Sequence, residues 1–107
     1  MSTEPDIEAE VTFLKTEEGG RSIPAFSGYR PNHLVKDDYL TSGTHEYIEK
    51  EEVQPGEMAN ARITSITPEY YPHCLWIGKV INIQEGGHLV GHAKITLIMN
   101  ELLVKNI

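Results

Sequence analysis

The 107-residue sequence has few cysteines, no long apolar run and few basic residues, the features of proteins that are stabilised by disulfides, span membranes or bind nucleic acids. Its one cysteine, Cys74, excludes an internal disulfide. No apolar run approaches the roughly twenty residues needed to span a bilayer. Nine Lys and Arg stand against sixteen Asp and Glu, and the resulting charge of -7 disfavours general nucleic-acid binding. This charge does not argue against a local contact with RNA through a few well-placed hydrogen-bond donors.

Signals for export and for nucleotide chemistry are also missing. The N-terminal residues MSTEPDIEAE contain neither the basic nor the apolar segment of a secretory signal, so a cytoplasmic location is expected. The sequence has no GxxxxGK[ST] phosphate-binding loop, and the glycine pairs Gly19-Gly20 and Gly86-Gly87 are interpreted as turns between strands. We therefore expect no nucleotide binding, no GTP hydrolysis and no other enzymatic activity.

Five histidines and the cysteine raise the question of a metal site, and their spacing argues against one. The local pairs are His73 with Cys74 and His88 with His92. Residues four apart on a strand lie roughly 13 Å apart, too far for two ligands of one zinc ion, and adjacent side chains point to opposite faces. The same divergence argues against a Cys74 nucleophile with a His73 base. No metal and no other cofactor is expected.

Length and patterning predict a single all-β domain over residues 1–107. Apolar and polar residues alternate in short runs separated by Gly and Pro, which is typical of strands with one buried face. Closure into a barrel removes exposed edges and is favoured over an open sheet. The expected strands are residues 7–13, 22–26, 32–36, 44–48, 58–67, 75–83 and 88–99, with 37–43 as a loop and 101–107 as either a strand extension or one helical turn.

The strongest alternating runs also identify the expected core. Seven side chains on their apolar faces are predicted to be buried, namely Ile7, Val11, Phe13, Ile63, Ile81, Ile83 and Ile95. In the last run, the apolar face is expected to carry Leu89, Ala93, Ile95, Leu97 and Met99. Lys79 is the exception to the alternation in residues 75–83.

One segment carries a family resemblance. The residues EEGGRSIPAFSGYRPN at 17–32 resemble the signature of the third, C-terminal domain of elongation factor Tu. The resemblance continues through the turns Pro55-Gly56-Glu57 and Glu85-Gly86-Gly87, and it covers about residues 7–98. It implies a six-stranded antiparallel β-barrel as a stand-alone chain, without the GTPase domain of that factor.

The resemblance also implies contact residues for the T-stem of aminoacyl-tRNA, for the GTPase domain or for the exchange factor. The matching positions are Arg30, Asn32, Thr41, Glu85 and Gly86, and Arg21 lies in the same docking region. The sequence departs from the family where His88 stands in place of an Arg, Thr67 in place of a basic residue, and Ser22-Ile23 in place of His-Thr. Two cationic phosphate partners are thereby lost or made dependent on pH.

Between Pro68 and Gly78 the chain is longer than the family, and the added residues are aromatic. Tyr70 and Tyr71 are predicted to contact a partner, with at least one of them exposed. The alternative is that Trp76 closes one end of the barrel beneath them.

This loop and the acidic charge favour a protein-interaction or decoy module linked to translation, whose partner is a translation component or a protein that recognises elongation factor Tu. Binding of the tRNA T-stem is the alternative function.

Overall fold

The computed structural model describes residues 4–36, 39–65, 70 and 72–105, and nearly all of its regular structure is β-strand. The eight strands are β1 (Ile7–Phe13), β2 (Ala25–Phe26), β3 (Asn32–Lys36), β4 (Tyr39–Tyr47), β5 (Glu52–Val53), β6 (Met58–Ser65), β7 (Val80–Glu85) and β8 (His88–Ile98). Short 3-10 helices span Thr16–Glu18 and Glu101–Leu103. The second of these decides the C-terminal alternative in favour of a helical turn.

Six of the strands form a closed antiparallel barrel in the order β1-β6-β4-β3-β7-β8, which confirms the predicted fold class. The remaining two, β2 and β5, form a separate two-stranded ribbon. Closure pairs both edges of β1, with β6 on one side and β8 on the other, so the barrel has no open edge. No helix in the described parts of the chain has the length and apolar character needed to cross a bilayer.

The barrel interior is filled by small and branched apolar side chains. All seven side chains predicted to be buried are buried, with Val11, Ile63, Ile83 and Ile95 at 1% exposure or less. Three alanines, Ala9, Ala61 and Ala93, are fully covered and leave room for the larger side chains on neighbouring strands. Alternation with a period of two is therefore a reliable guide to the core along β1, β6 and β7.

Two register shifts change the pattern in β8. Val90 is an extra residue opposite β7, and Thr96 is an extra residue opposite β1. Each bulge reverses the inward and outward alternation of the residues that follow it. The prediction that Leu97 and Met99 face the core is therefore wrong, because both are exposed while Val90 is buried.

Two other sequence assignments are corrected. The predicted loop over residues 37–43 is wrong over Tyr39–Gly43, which belongs to β4, and residues 37–38 lie outside the described part. The predicted strand over residues 75–83 begins only at Val80. Leu75 makes a single parallel bridge to Val104, and the Trp76–Lys79 turn, closed by a 3.1 Å hydrogen bond from the Lys79 amide to the Trp76 carbonyl, separates it from β7.

The buried part of the barrel includes one polar network. The Nε2 atoms of His33 and His45 lie 2.8 Å apart, and Nδ1 of His45 lies 3.0 Å from the hydroxyl oxygen of Tyr47. His33 is 2% exposed and His45 is fully buried. Desolvation lowers the pKa of His33 to about 4 and lowers that of His45 well below its ordinary value, so both rings are neutral near pH 7.

The barrel presents two different ends. The hairpin end holds the tight turn between β7 and β8 together with residues 14–31 and 48–57. The loop end holds residue 70 and residues 72–79, which precede β7, together with residues 4–6 and 99–105. Among the predicted contact residues that the structure describes, four lie at the hairpin end, namely Arg21, Arg30, Glu85 and Gly86. Asn32 is the first residue of β3 beside that end, Tyr70 lies at the loop end, and Thr41 lies within β4.

Candidate functional site

At the hairpin end, three side chains form a cluster around the carboxylate of Glu85. Arg21 makes an ion pair with Oε2 of Glu85, and the Tyr29 hydroxyl donates to the same oxygen at 2.6 Å. The guanidinium carbon of Arg21 lies 4.3 Å from the centre of the Tyr29 ring. Arg21 also donates to the carbonyls of Ile23 and Pro24, each at 3.3 Å. The cluster thus fastens residues 21–24 to the β7–β8 turn.

Burial and charge act in opposite directions within this cluster. Desolvation alone would raise the pKa of Glu85, but the hydrogen bonds from Tyr29 and Arg21, with the charge of Arg21, lower it. Desolvation and the hydrogen bond to Glu85 raise the pKa of Tyr29, so its hydroxyl keeps its proton. The cluster is an ion pair with a neutral phenol, so Arg21 already has an anionic partner within the chain.

The β7–β8 turn is held from a second side. His88 contacts the carbonyl oxygen of Gly19 through Nε2, at 2.5 Å. Gly19 follows the 3-10 helix and has a φ of 96°, a left-handed conformation that favours glycine. Gly86 occupies the turn itself with a φ of 62°. The two glycine-containing turns inferred from the sequence are therefore in contact with each other.

The other predicted contact residues are distributed as follows. Arg30 is exposed, and Asn32 is half-buried at the start of β3, where it pairs with Gln84 next to Glu85. Thr41 pairs with His33 and is buried, so it offers little side-chain surface to a partner. Tyr70 is 66% exposed and lies at the loop end, away from the Glu85 cluster. Tyr71, Thr67 and Pro68 lie outside the described residues.

The loop end of the barrel is not closed by the Trp76 ring, contrary to what the capping alternative predicts. Leu75 and Leu103 are the fully covered side chains there, whereas Trp76 is 44% exposed. Amide-to-carbonyl hydrogen bonds of 2.8 to 2.9 Å join residues 73–75 to 102–105, so the C-terminal segment and the 72–79 loop form one layer. Trp76 lies on the outer side of this layer.

A basic groove lies beside Trp76. It has a volume of about 470 Å³, and its lining includes Lys36, Lys79, Lys105 and Trp76. The ammonium nitrogens of Lys79 and Lys105 lie 4.6 and 4.9 Å from the centre of the indole ring. Lys79 also donates to the carbonyls of Val35 and Cys74, at 2.5 and 2.7 Å, which fixes its position. The spacing of the lysines along the chain does not indicate this groove, although the break that Lys79 makes in the alternation is a usable signal.

The thiol in this groove does not have the character of a nucleophile. Cys74 is half-buried, and desolvation raises its pKa although Lys79 and Lys36 act to lower it. A thiol with a raised pKa stays protonated at neutral pH and attacks carbonyl or phosphoryl groups poorly. Across the described residues, no three His, Cys, Asp or Glu side chains converge as metal ligands.

No protein-family model matches the chain.

Proposed function

We propose that the chain is a non-catalytic protein-interaction module, similar to the third domain of elongation factor Tu, that binds a translation component or a protein recognising that factor. The hairpin end is the proposed contact surface. It is the end to which the resemblance assigns docking residues, and it carries the Arg21, Tyr29 and Glu85 cluster. The proposal rests mainly on the compensation of Arg21 by Glu85.

Charge at the hairpin end favours a protein partner over an RNA backbone. Residues 14–31, 48–57 and 85–88 hold seven Glu against four Lys or Arg. One of the four cations, Arg21, is already paired with Glu85 and stacked on Tyr29. A surface with excess negative charge repels phosphates, whereas it attracts a partner with a basic face.

Exposed apolar side chains lie on the same surface. Ile23 is 61% exposed and Phe26 is 56% exposed, and the backbone beneath them is held by the Arg21 hydrogen bonds and by the β2–β5 ribbon. An aromatic side chain on a fixed backbone loses little conformational entropy when it is covered. Phe26 is therefore the expected anchor of the interface.

Binding to the T-stem of tRNA is the second candidate. Arg30 is exposed near the same end, Asn32 is the first residue of β3, and Gly86 lies in the turn that follows the neighbouring strand β7. These residues offer one cation and two neutral groups to a phosphate backbone. Because each neutralised phosphate contributes to affinity, so small a set gives weak binding at physiological salt.

Capture from lysate, with and without RNase, separates the two candidates. The protein carries an affinity tag, and three variants accompany it: Phe26→Ser, Arg30→Ala and the control Leu40→Ser, an exposed apolar residue on β4. The proposed function predicts that captured protein survives RNase and falls about tenfold with Phe26→Ser but not with Leu40→Ser. Captured tRNA that disappears on RNase treatment and depends on Arg30 would replace the proposal with the tRNA candidate.

A further inference from the structure

The loop end carries a second surface, which is independent of the Glu85 cluster and of the function proposed above. Three of the nine Lys and Arg of this acidic chain, Lys36, Lys79 and Lys105, line one groove. No Asp or Glu is among the described residues that line it. In a chain of charge -7, a groove whose described lining carries only positive formal charge is a local reversal of the overall charge.

An apolar groove adjoins the basic one. It has a volume of about 380 Å³ and is lined by Trp76, Ile77, Leu97, Ile98, Val104 and Lys105. Trp76 and Lys105 belong to both grooves, so the two form one continuous surface. Ile77, Leu97 and Val104 are between 41% and 59% exposed, which is unusual for aliphatic side chains that lie together.

The geometry points to this pair of grooves as a binding site for an acidic peptide segment of another protein, with a bulky apolar residue beside its carboxylates. Carboxylates enter the basic groove and meet Lys36 and Lys105, while Lys79, whose ammonium group donates to the Val35 and Cys74 carbonyls, adds positive charge to the groove. The neighbouring apolar side chain enters the second groove and covers Ile77, Leu97 and Val104. Trp76 lies between the two grooves, where its indole ring can pack against an apolar side chain and also contact a cation.

Several features show that the surface is fixed in place. Lys105 donates its amide to the Leu75 carbonyl at 2.8 Å, and the Leu75 amide donates to Leu103 at 2.9 Å. His73 contacts the Val104 carbonyl through Nδ1 at 2.9 Å. These bonds hold both walls of the groove before any ligand arrives, which reduces the entropy cost of binding.

A peptide fits this surface better than a nucleic acid does. Lysines beside an indole could hold a phosphate and a stacked base. A second phosphate, however, would make no favourable contact with the adjoining aliphatic groove, and the charge of the whole chain repels a polyanion. A short acidic peptide brings few charges and supplies the apolar side chain that the second groove requires.

The single tryptophan of the chain reports directly on this site, because Trp76 lies in both grooves. The probe is an acetylated peptide amide of sequence Glu-Glu-Phe-Leu, titrated into the full chain by tryptophan fluorescence and by calorimetry. The controls are Lys-Lys-Phe-Leu, which keeps the apolar pair, and Glu-Glu-Ser-Ser, which keeps the charges. We expect saturable binding of the first peptide and at least about fivefold weaker binding of either control.

Charge-reversal variants locate the site. Lys105→Glu and Lys36→Glu are each expected to weaken the peptide by about fivefold or more, since attraction becomes repulsion. The matched control is Lys50→Glu, an exposed lysine at the hairpin end, with an expected change below about twofold. Equal binding of the Lys-Lys peptide, equal loss with Lys50→Glu, tighter binding of a short RNA, or self-association of the chain through this face in sedimentation would each overturn the proposal. The capture experiment on Phe26 is unaffected by any of these outcomes.

Discussion

Acidification should destabilise the protein through its buried histidine pair. Nε2 of His33 lies 2.8 Å from Nε2 of His45, and a contact between two ring nitrogens holds one proton between them. Protonating both rings would direct two N–H groups at each other. Both rings are buried, so protonating even one of them places a positive charge in the barrel core. The ring contacts of His33 and His45 described above include no carboxylate that would stabilise this charge.

The magnitude follows from the shift at His33. Its pKa falls from 6.5 to about 4 on folding, so the unfolded chain binds the proton more readily than the folded one. The contribution to stability is therefore fully present above pH 6.5 and is lost as the pH falls toward 4. A shift of this size corresponds to a loss of about 3 kcal/mol in the free energy of unfolding by pH 4, or about 1.4 kcal/mol for each pH unit between 6.5 and 4. His45 acts in the same direction.

Urea unfolding at pH 7.0, 6.0, 5.0 and 4.5 measures this effect. Wild-type stability should fall steeply between pH 6 and 4.5, and His33→Leu should have a lower stability at pH 7 but a shallower slope. The control His92→Leu removes a half-buried histidine of β8 that is not part of the pair, and it should keep the wild-type slope. A wild-type stability that is flat across this range, or an unchanged slope in His33→Leu, would refute the reasoning.

Three further changes test other parts of the structure. Glu85→Gln should lower the free energy of unfolding by about 1 kcal/mol in urea, whereas Glu46→Gln, which alters an exposed ion pair with Arg62, should change it by less than about 0.5 kcal/mol. Gly91→Ala would bring a Cβ to 2.6 Å from the Thr12 carbonyl oxygen and should lower the melting temperature, while Gly87→Ala, with no atom within 4 Å of the added Cβ, should not. Ile83→Ala in the core should cost about 2 to 5 kcal/mol, compared with less than about 0.5 kcal/mol for the exposed Ile77→Ala.

The barrel was largely predictable because its strands follow a simple rule. In β1 and β7 the alternation of apolar and polar residues runs without interruption, so the buried faces could be read directly. In β8 the same rule fails at Val90 and Thr96, since a bulge depends on the pairing of the neighbouring strands and not on the residue itself. The early part of β4 was missed for a related reason: Ser42 and Gly43 have weak strand propensity, and pairing with β3 and β6 supplies the order.

The binding surfaces were less predictable, and the two ends differ in the reason. The glycine turns were inferred from the glycine pairs, and Arg21 and Glu85 were found through a resemblance, but the resemblance did not show that Glu85 compensates the arginine and that Tyr29 donates to Glu85. At the loop end, Lys36, Lys79 and Lys105 are far apart in the sequence and meet because β3 lies beside β7 and residues 73–75 pair with 102–105. Aromatic content alone directed attention to Trp76. Its neighbour Lys79 comes from the local turn, whereas its neighbour Lys105 depends on that pairing.

The two proposed surfaces differ in charge and lie at opposite ends of the barrel. A strand of six residues spans roughly 20 Å, so a partner covering Phe26 at the hairpin end leaves Trp76 at the loop end accessible. We expect the hairpin end, which is rich in Glu, to attract a basic partner and the lysine groove to attract an acidic one. Because like charges repel, a ligand of either sign is directed to one end and discouraged from the other. The two proposals together predict that the chain holds two partners of opposite charge at once, at the separation that the length of the barrel sets.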